Sequence, residues 1–153
     1  MRSPMPTSIS TLPVTYRNRL LELAEKVNHP EETRLFTEGG RADKFWIVRS
    51  GAVSLQIRVP GRRPADIDDL GTGDLVGWSW LYPPFRWQLD AVATTPVRTY
   101  EFDARNVRML MDADLAFGCA VANWVGQILA GRLQATRVRL LDLYAPHGSG
   151  SAV

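Results

Sequence analysis

The chain has 153 residues and a mass of 17.1 kDa, enough for one domain with a real hydrophobic core. Hydrophobic residues make up 45% and charged residues 22%, the composition of an ordinary soluble globular protein. Net charge is +2, but sixteen of the 18 basic residues are arginines scattered among 16 acids, and the nearest approach to a basic run is Arg62-Arg63; a solvated surface is the reading, not a nucleic-acid patch.

Residues 1–13 contain prolines and no apolar segment of the kind a signal peptide needs, and are expected to form a flexible N-terminus. Leu20, Leu21, Leu23, Ala24 and Val27 recur at helical spacing, which predicts a helix over 16–27 stopped by Asn28-His29-Pro30. Across 33–102 the pattern turns to short strands broken by glycine and proline. Phe45-Trp46-Ile47-Val48 is a compact apolar run, and Ser50-Gly51 a turn. Val53, Leu55, Ile57 and Val59 then alternate with polar residues, and a hairpin at 60–64 returns onto 65–70. Leu75-Val76 ends another strand at Gly77, and 78–81 can form one helical turn before Pro83-Pro84 stops it. Two strands, 88–93 and 97–102, flank Thr94-Thr95-Pro96.

Asp103 then caps a helix with Val107, Leu110 and Met111 on its apolar face, and a long helix runs from Asp114 to about Tyr144. Its apolar stretch 113–130 carries Asp114, Asn123 and Gln127, a packed helix and not a membrane span. Cys119, among Phe117, Ala120 and Val121, reads as a small buried side chain. A single cysteine excludes an internal disulfide framework and suits a reducing cytoplasm. The domain is therefore expected over 14–144, followed by a flexible tail at 145–153.

A strand, a glycine and a short helix start would together present free amides to an anion such as phosphate. Arg86 follows nine residues after Gly77. This layout resembles the phosphate-binding cassette of cyclic-nucleotide-binding domains, the effector modules of catabolite activator proteins and cyclic-nucleotide-dependent kinases. Phe36-Thr-Glu-Gly39-Gly40, the string from Ala42 to Val53, and Gly71-Thr-Gly73-Asp74-Leu75-Val76-Gly77 resemble the family's other glycine-turn blocks in order and spacing. The resemblance covers roughly 16–144. It implies an α+β fold, an antiparallel β-roll or jelly roll with an N-terminal helix and a long C-terminal helix.

The family's cassette reads Gly-Glu-x-Ala-Leu, a loop, then arginine. Its glutamate accepts from the ribose 2′-hydroxyl and its arginine pairs with the cyclic phosphate. Here Trp78 stands at the glutamate position, and an indole cannot accept. Counted from Gly77, Arg86 falls near the family's arginine. Counted back from Ala91, Phe85 takes that place and Arg86 faces the other side of the strand.

Trp78, Trp80, Tyr82, Phe85 and Trp87 crowd the same segment. The rings either fill the space a nucleotide would occupy, or reshape it around a flat ligand with Gly77, Trp78, Ser79, Arg86 and Trp87 as its contacts. The resemblance adds the long helix, which in the family pairs across a two-fold axis and approaches the ligand. Gln134 and Thr136 would then reach a bound base.

His29 and His147 are too few for a metal-binding roll, and no nucleophile–base pair is legible, so neither enzyme nor metal is expected. No cofactor is expected beyond a cyclic nucleotide or other anionic ligand. A homodimer through the C-terminal helix is expected, an unknown protein partner is allowed, and neither direct nucleic-acid contact nor membrane insertion is expected, since only nine residues follow Tyr144. Two functions remain open: a stand-alone ligand-sensing regulatory domain with a divergent pocket, and a degenerate domain that only pairs with proteins.

Overall fold

The computed structural model describes residues 8–144; residues 1–7 and the expected tail at 145–153 lie outside them. A 3-10 turn at Ile9–Thr11 leads into helix α1, Val14–Leu21. Strands β1 (Glu25–His29), β2 (Arg34–Phe36), β3 (Lys44–Ser50) and β4 (Val53–Ile57) follow, then β5 (Ala65–Leu70), β6 (Leu75–Val76), β7 (Asp90–Ala93) and β8 (Val97–Asp103). Helices α2 (Ala104–Ala113) and α3 (Leu115–Tyr144) complete the described chain. The strands pair antiparallel in two four-stranded sheets, ordered β1-β8-β3-β6 and β2-β7-β4-β5, and the α+β jelly roll is as expected.

The unbroken apolar run of β3 is explained by burial on both faces. Phe45 stacks on Phe102 and Trp80 on one side, while Trp46 faces Phe36 and Trp87 on the other. β4 is buried at Val53, Ser54 and Leu55 and opens to solvent at Ile57, and in its partner β5 only Leu70 is buried.

Three expectations need correction. The helix predicted over 16–27 stops at Leu21, and Glu25–His29 is a strand in register with β8 from Glu25↔Glu101 to His29↔Val97. Leucines at helical spacing satisfy α1, but β8 offers β1 a full row of backbone partners, and tertiary pairing overrides the local pattern. The N-terminus expected to be flexible through residue 13 is held from residue 8 onward. The Ile9 amide donates to the Gly73 carbonyl at 2.7 Å, the Trp124 indole to the Ser8 carbonyl at 3.1 Å, and Leu12 is buried.

Cys119 is exposed, not buried. The face of α3 that meets the roll is set by Phe117, Val121, Trp124, Val125 and Ile128, and two residues on from Phe117 is about 200° around the helix. Asp103 caps α2 as read, accepting from the amides of Arg105 and Asn106. Beyond Arg132 the whole surface of α3 is exposed. Among the described residues no helix is long and apolar enough to cross a membrane.

Candidate functional site

Beyond β6 the chain turns at Gly77, whose φ of +95° is open to glycine at little cost. The helical turn expected at 78–81 is only a hydrogen-bonded turn, with the Leu81 amide donating to the Trp78 carbonyl at 3.1 Å. Trp80 explains the difference. Its fully buried ring stacks on Phe45 at 4.0 Å, and its indole N–H donates back to the Gly77 carbonyl at 3.1 Å. Arg108 of α2 fixes the loop from below, donating to the Trp80 carbonyl at 2.6 Å with its guanidinium 4.6 Å from the Phe85 ring centre.

Residues 85–87 then run beside the 39–42 loop. The Ala42 amide donates to the Phe85 carbonyl, the Trp87 amide to Gly40 and the Gly39 amide to Trp87, at 2.8 to 2.9 Å. Successive side chains on this ladder take opposite sides. Arg86 is exposed and, among the described residues, its side chain reaches only the Gly39 carbonyl, at 3.4 Å. Trp87 turns inward, 5% exposed, and stacks on Phe36 at 3.9 Å with 9° between the planes. A Cβ on Gly77 would sit 2.6 Å from the Trp87 ring, so only glycine lets the indole lie there. Counting from Ala91 thus describes the orientation of Arg86, and counting from Gly77 does not.

What remains of the pocket is a cavity of about 20 Å³, bordered by Gly77, Trp78, Ser79, Trp87 and Arg132. That is room for one water, against the several hundred cubic ångströms of a typical ligand site. Of the seven candidate residues, the structure brings Gly77, Trp78, Ser79 and Trp87 together and leaves Arg86, Gln134 and Thr136 outside. Gln134 and Thr136 are exposed, and the Thr136 hydroxyl donates to the Arg132 carbonyl of its own helix at 2.9 Å. The residue of α3 that does reach the pocket is Arg132, which donates to the Leu75 carbonyl at 2.6 Å and lies 3.8 Å from an Asp68 oxygen. Sequence reading passed over it. The available signal was a charge four residues beyond Ile128, on the stripe that packs against the roll. Seven residues further on, Arg139 repeats the contact and donates to the Ile67 carbonyl at 2.9 Å.

The strand after the cassette carries the strongest electrostatic feature. Asp90 is 1% exposed and accepts from Arg34 at 2.7 Å, from Arg58 at 3.0 Å and from the Glu38 amide at 2.7 Å. Burial favours its neutral acid, but the Glu38 amide, the Arg58 hydrogen bond and the charges of Arg58 and Arg34 outweigh burial. Its pKa therefore falls below the ordinary carboxylate value. The folded state thus binds fewer protons than the unfolded chain in acid. The stabilisation is complete above the unfolded pKa, about 3.9, and is lost as pH falls through the lower folded value. Asp90→Asn should cost about 2 kcal/mol at neutral pH, because charged hydrogen bonds go while the arginines keep half their solvent. It should also flatten the acid limb of the melting curve. Calorimetry from about pH 2 to 7 tests this, and parallel limbs in variant and wild type would contradict it.

A family model for the cyclic nucleotide-binding domain matches residues 26–114, more than half of the chain. The chain belongs to the cyclic nucleotide-binding domain family. A CRP-like cAMP-activated global transcriptional regulator of Mycobacterium tuberculosis is 27% identical over 124 residues, covering 81% of this chain and 54% of that protein. The chain spans about half the length of the curated relatives it matches. Among solved structures, the c-di-GMP-responsive global regulator of Xanthomonas campestris superposes with a TM-score of 0.76 at 20% identity, over 86% of this chain and 64% of that one. A cyclic nucleotide-binding domain from Methylobacillus flagellatus gives 0.75 at 20% identity, over 83% and 71%. These structural likenesses carry the fold. Within the family's cassette, then, this member sets an indole, Trp87, on the inner side of the strand and its one arginine, Arg86, on the outer side.

Proposed function

We propose that this chain is a non-enzymatic, cytoplasmic regulatory module of its family that works without a cyclic nucleotide and pairs two copies through α3. The observation that carries this is the Trp87 indole seated on Phe36 and against Gly77, leaving about 20 Å³. It favours the protein-pairing reading over a ligand sensor with a divergent pocket. Trp78 adds to it, since it offers a ribose hydroxyl no acceptor. A switching domain needs a ligand that favours one position of its helix. Here Arg132 and Arg139 tie α3 to the carbonyls of Leu75 and Ile67 with groups of the chain itself. A fixed helix is a scaffold for a partner, and the module assigns no chemistry and no DNA contact to the described residues.

Calorimetry on the wild-type chain with cyclic AMP and cyclic GMP decides the matter. No saturable heat is expected at micromolar concentrations, and a low-micromolar dissociation constant would overturn the reading. A thermal-shift series including cyclic dinucleotides extends the test, since any ligand bound by the native state alone raises the melting point.

A further inference from the structure

Outside the cavity that Trp87 fills, Arg34 of β2 and Arg58, just past β4, converge on the buried carboxylate of Asp90. Arg34 uses one terminal nitrogen and Arg58 its Nε. The other guanidinium donors of both have no partner among the described residues. The two side chains are 47% and 55% exposed, so those donors face solvent from a fixed platform. They open onto a groove of about 720 Å³, to which the β4–β5 loop adds Arg62, with Val59, Pro60 and Pro64 as an apolar wall.

We propose that this groove binds a small molecule carrying a phosphate monoester, the phosphate between Arg58, Arg34 and Arg62 and the apolar body against the prolines. Three features lead there. Guanidinium forks pair bidentately with phosphate, and holding them in place beforehand removes the ordering cost of binding. One carboxylate does not neutralise two arginines, and Arg62 adds a third positive charge. Against these stand Asp90, shielded behind the guanidiniums with its oxygens already occupied, and Glu38 at the rim. The surplus suits one compact anionic group and not an extended polyanion. The volume, finally, exceeds what an inorganic ion needs and falls in the range of small-molecule sites.

The test uses the full chain and phenyl phosphate as the probe, with inorganic phosphate in parallel, titrated by calorimetry and by amide NMR at ionic strength held constant with sodium chloride. Saturable binding is expected, with shifts confined to Arg34, Arg58 and the β4–β5 loop. Arg62→Gln, which touches no hydrogen bond of the fold, should weaken it about tenfold or more, and Arg58→Gln likewise. Arg105→Gln, an exposed charge on α2, should leave it unchanged. Absence of saturation at about 10 mM, indifference to both groove variants, or an equal loss in the α2 control would overturn the proposal.

Discussion

Trp87→Ala is expected to lower the unfolding free energy by about 3–5 kcal/mol, the usual cost of truncating a buried tryptophan. Trp87 is 5% exposed, stacks on Phe36 at 3.9 Å and lies 6.3 Å from the Trp46 ring centre. Both a transfer loss and an unfilled cavity should follow, because Gly77 on the facing side has no side chain with which to collapse into the space. In a chain of this size the melting temperature should fall by roughly 10 °C. Urea unfolding followed by far-UV circular dichroism measures it. The same variant should gain no affinity for cyclic AMP, since Trp78 still offers no acceptor and Arg86 still faces out. A loss below about 1 kcal/mol would mean that the ring is not the plug described above.

Wild-type protein should sediment as a dimer at micromolar concentration, and Leu133→Glu or Val138→Glu should convert it to a folded monomer. The α3 helix is 30 residues long, about 45 Å, and its roll-facing stripe ends near Arg132. Beyond that point Leu133, Val138, Leu140, Leu141 and Leu143 are 50–69% exposed, a run of large apolar groups on more than one face of one helix. A second copy offers the same surface, and a two-fold axis would let the two helices cover each other. A glutamate placed in that seam would bury an unpaired charge, whose cost exceeds the gain from a few leucines. Both side chains are exposed and neither belongs to the core of the β-roll, so far-UV circular dichroism should stay unchanged. A monomeric wild type would remove this interface and with it the pairing half of the proposed function.

The two predictions concern opposite ends of one design. At the roll end the helix is held by Arg132 and Arg139, and at the outer end nothing among the described residues covers it. A helix whose position is set internally presents its free end in one orientation, which is what a constitutive partner surface needs.

Much of the molecule was legible in the order of its residues. Glycine-punctuated runs specify the strands because turns need backbone conformations that few other residues adopt, and the both-faced apolar run of 45–48 marks a central strand. Asp103 declares its helix start because an aspartate there satisfies amides that the helix leaves open. The loss of an acceptor at Trp78 follows from the chemistry of indole alone.

Tertiary structure alone decided the rest. Whether 25–29 is helix or strand depends on β8, a partner some seventy residues away. Which of Arg86 and Trp87 enters the pocket is a matter of one residue of register, and pairing with the 39–42 loop sets it. Arg132 and the Asp90 cluster join segments distant in sequence, and no local pattern ranks such pairs. Local propensity and spacing marked most of the elements, β1 and the 78–81 turn excepted, but the filling of the pocket was set by contacts that exist only once both sheets and α3 have closed around it.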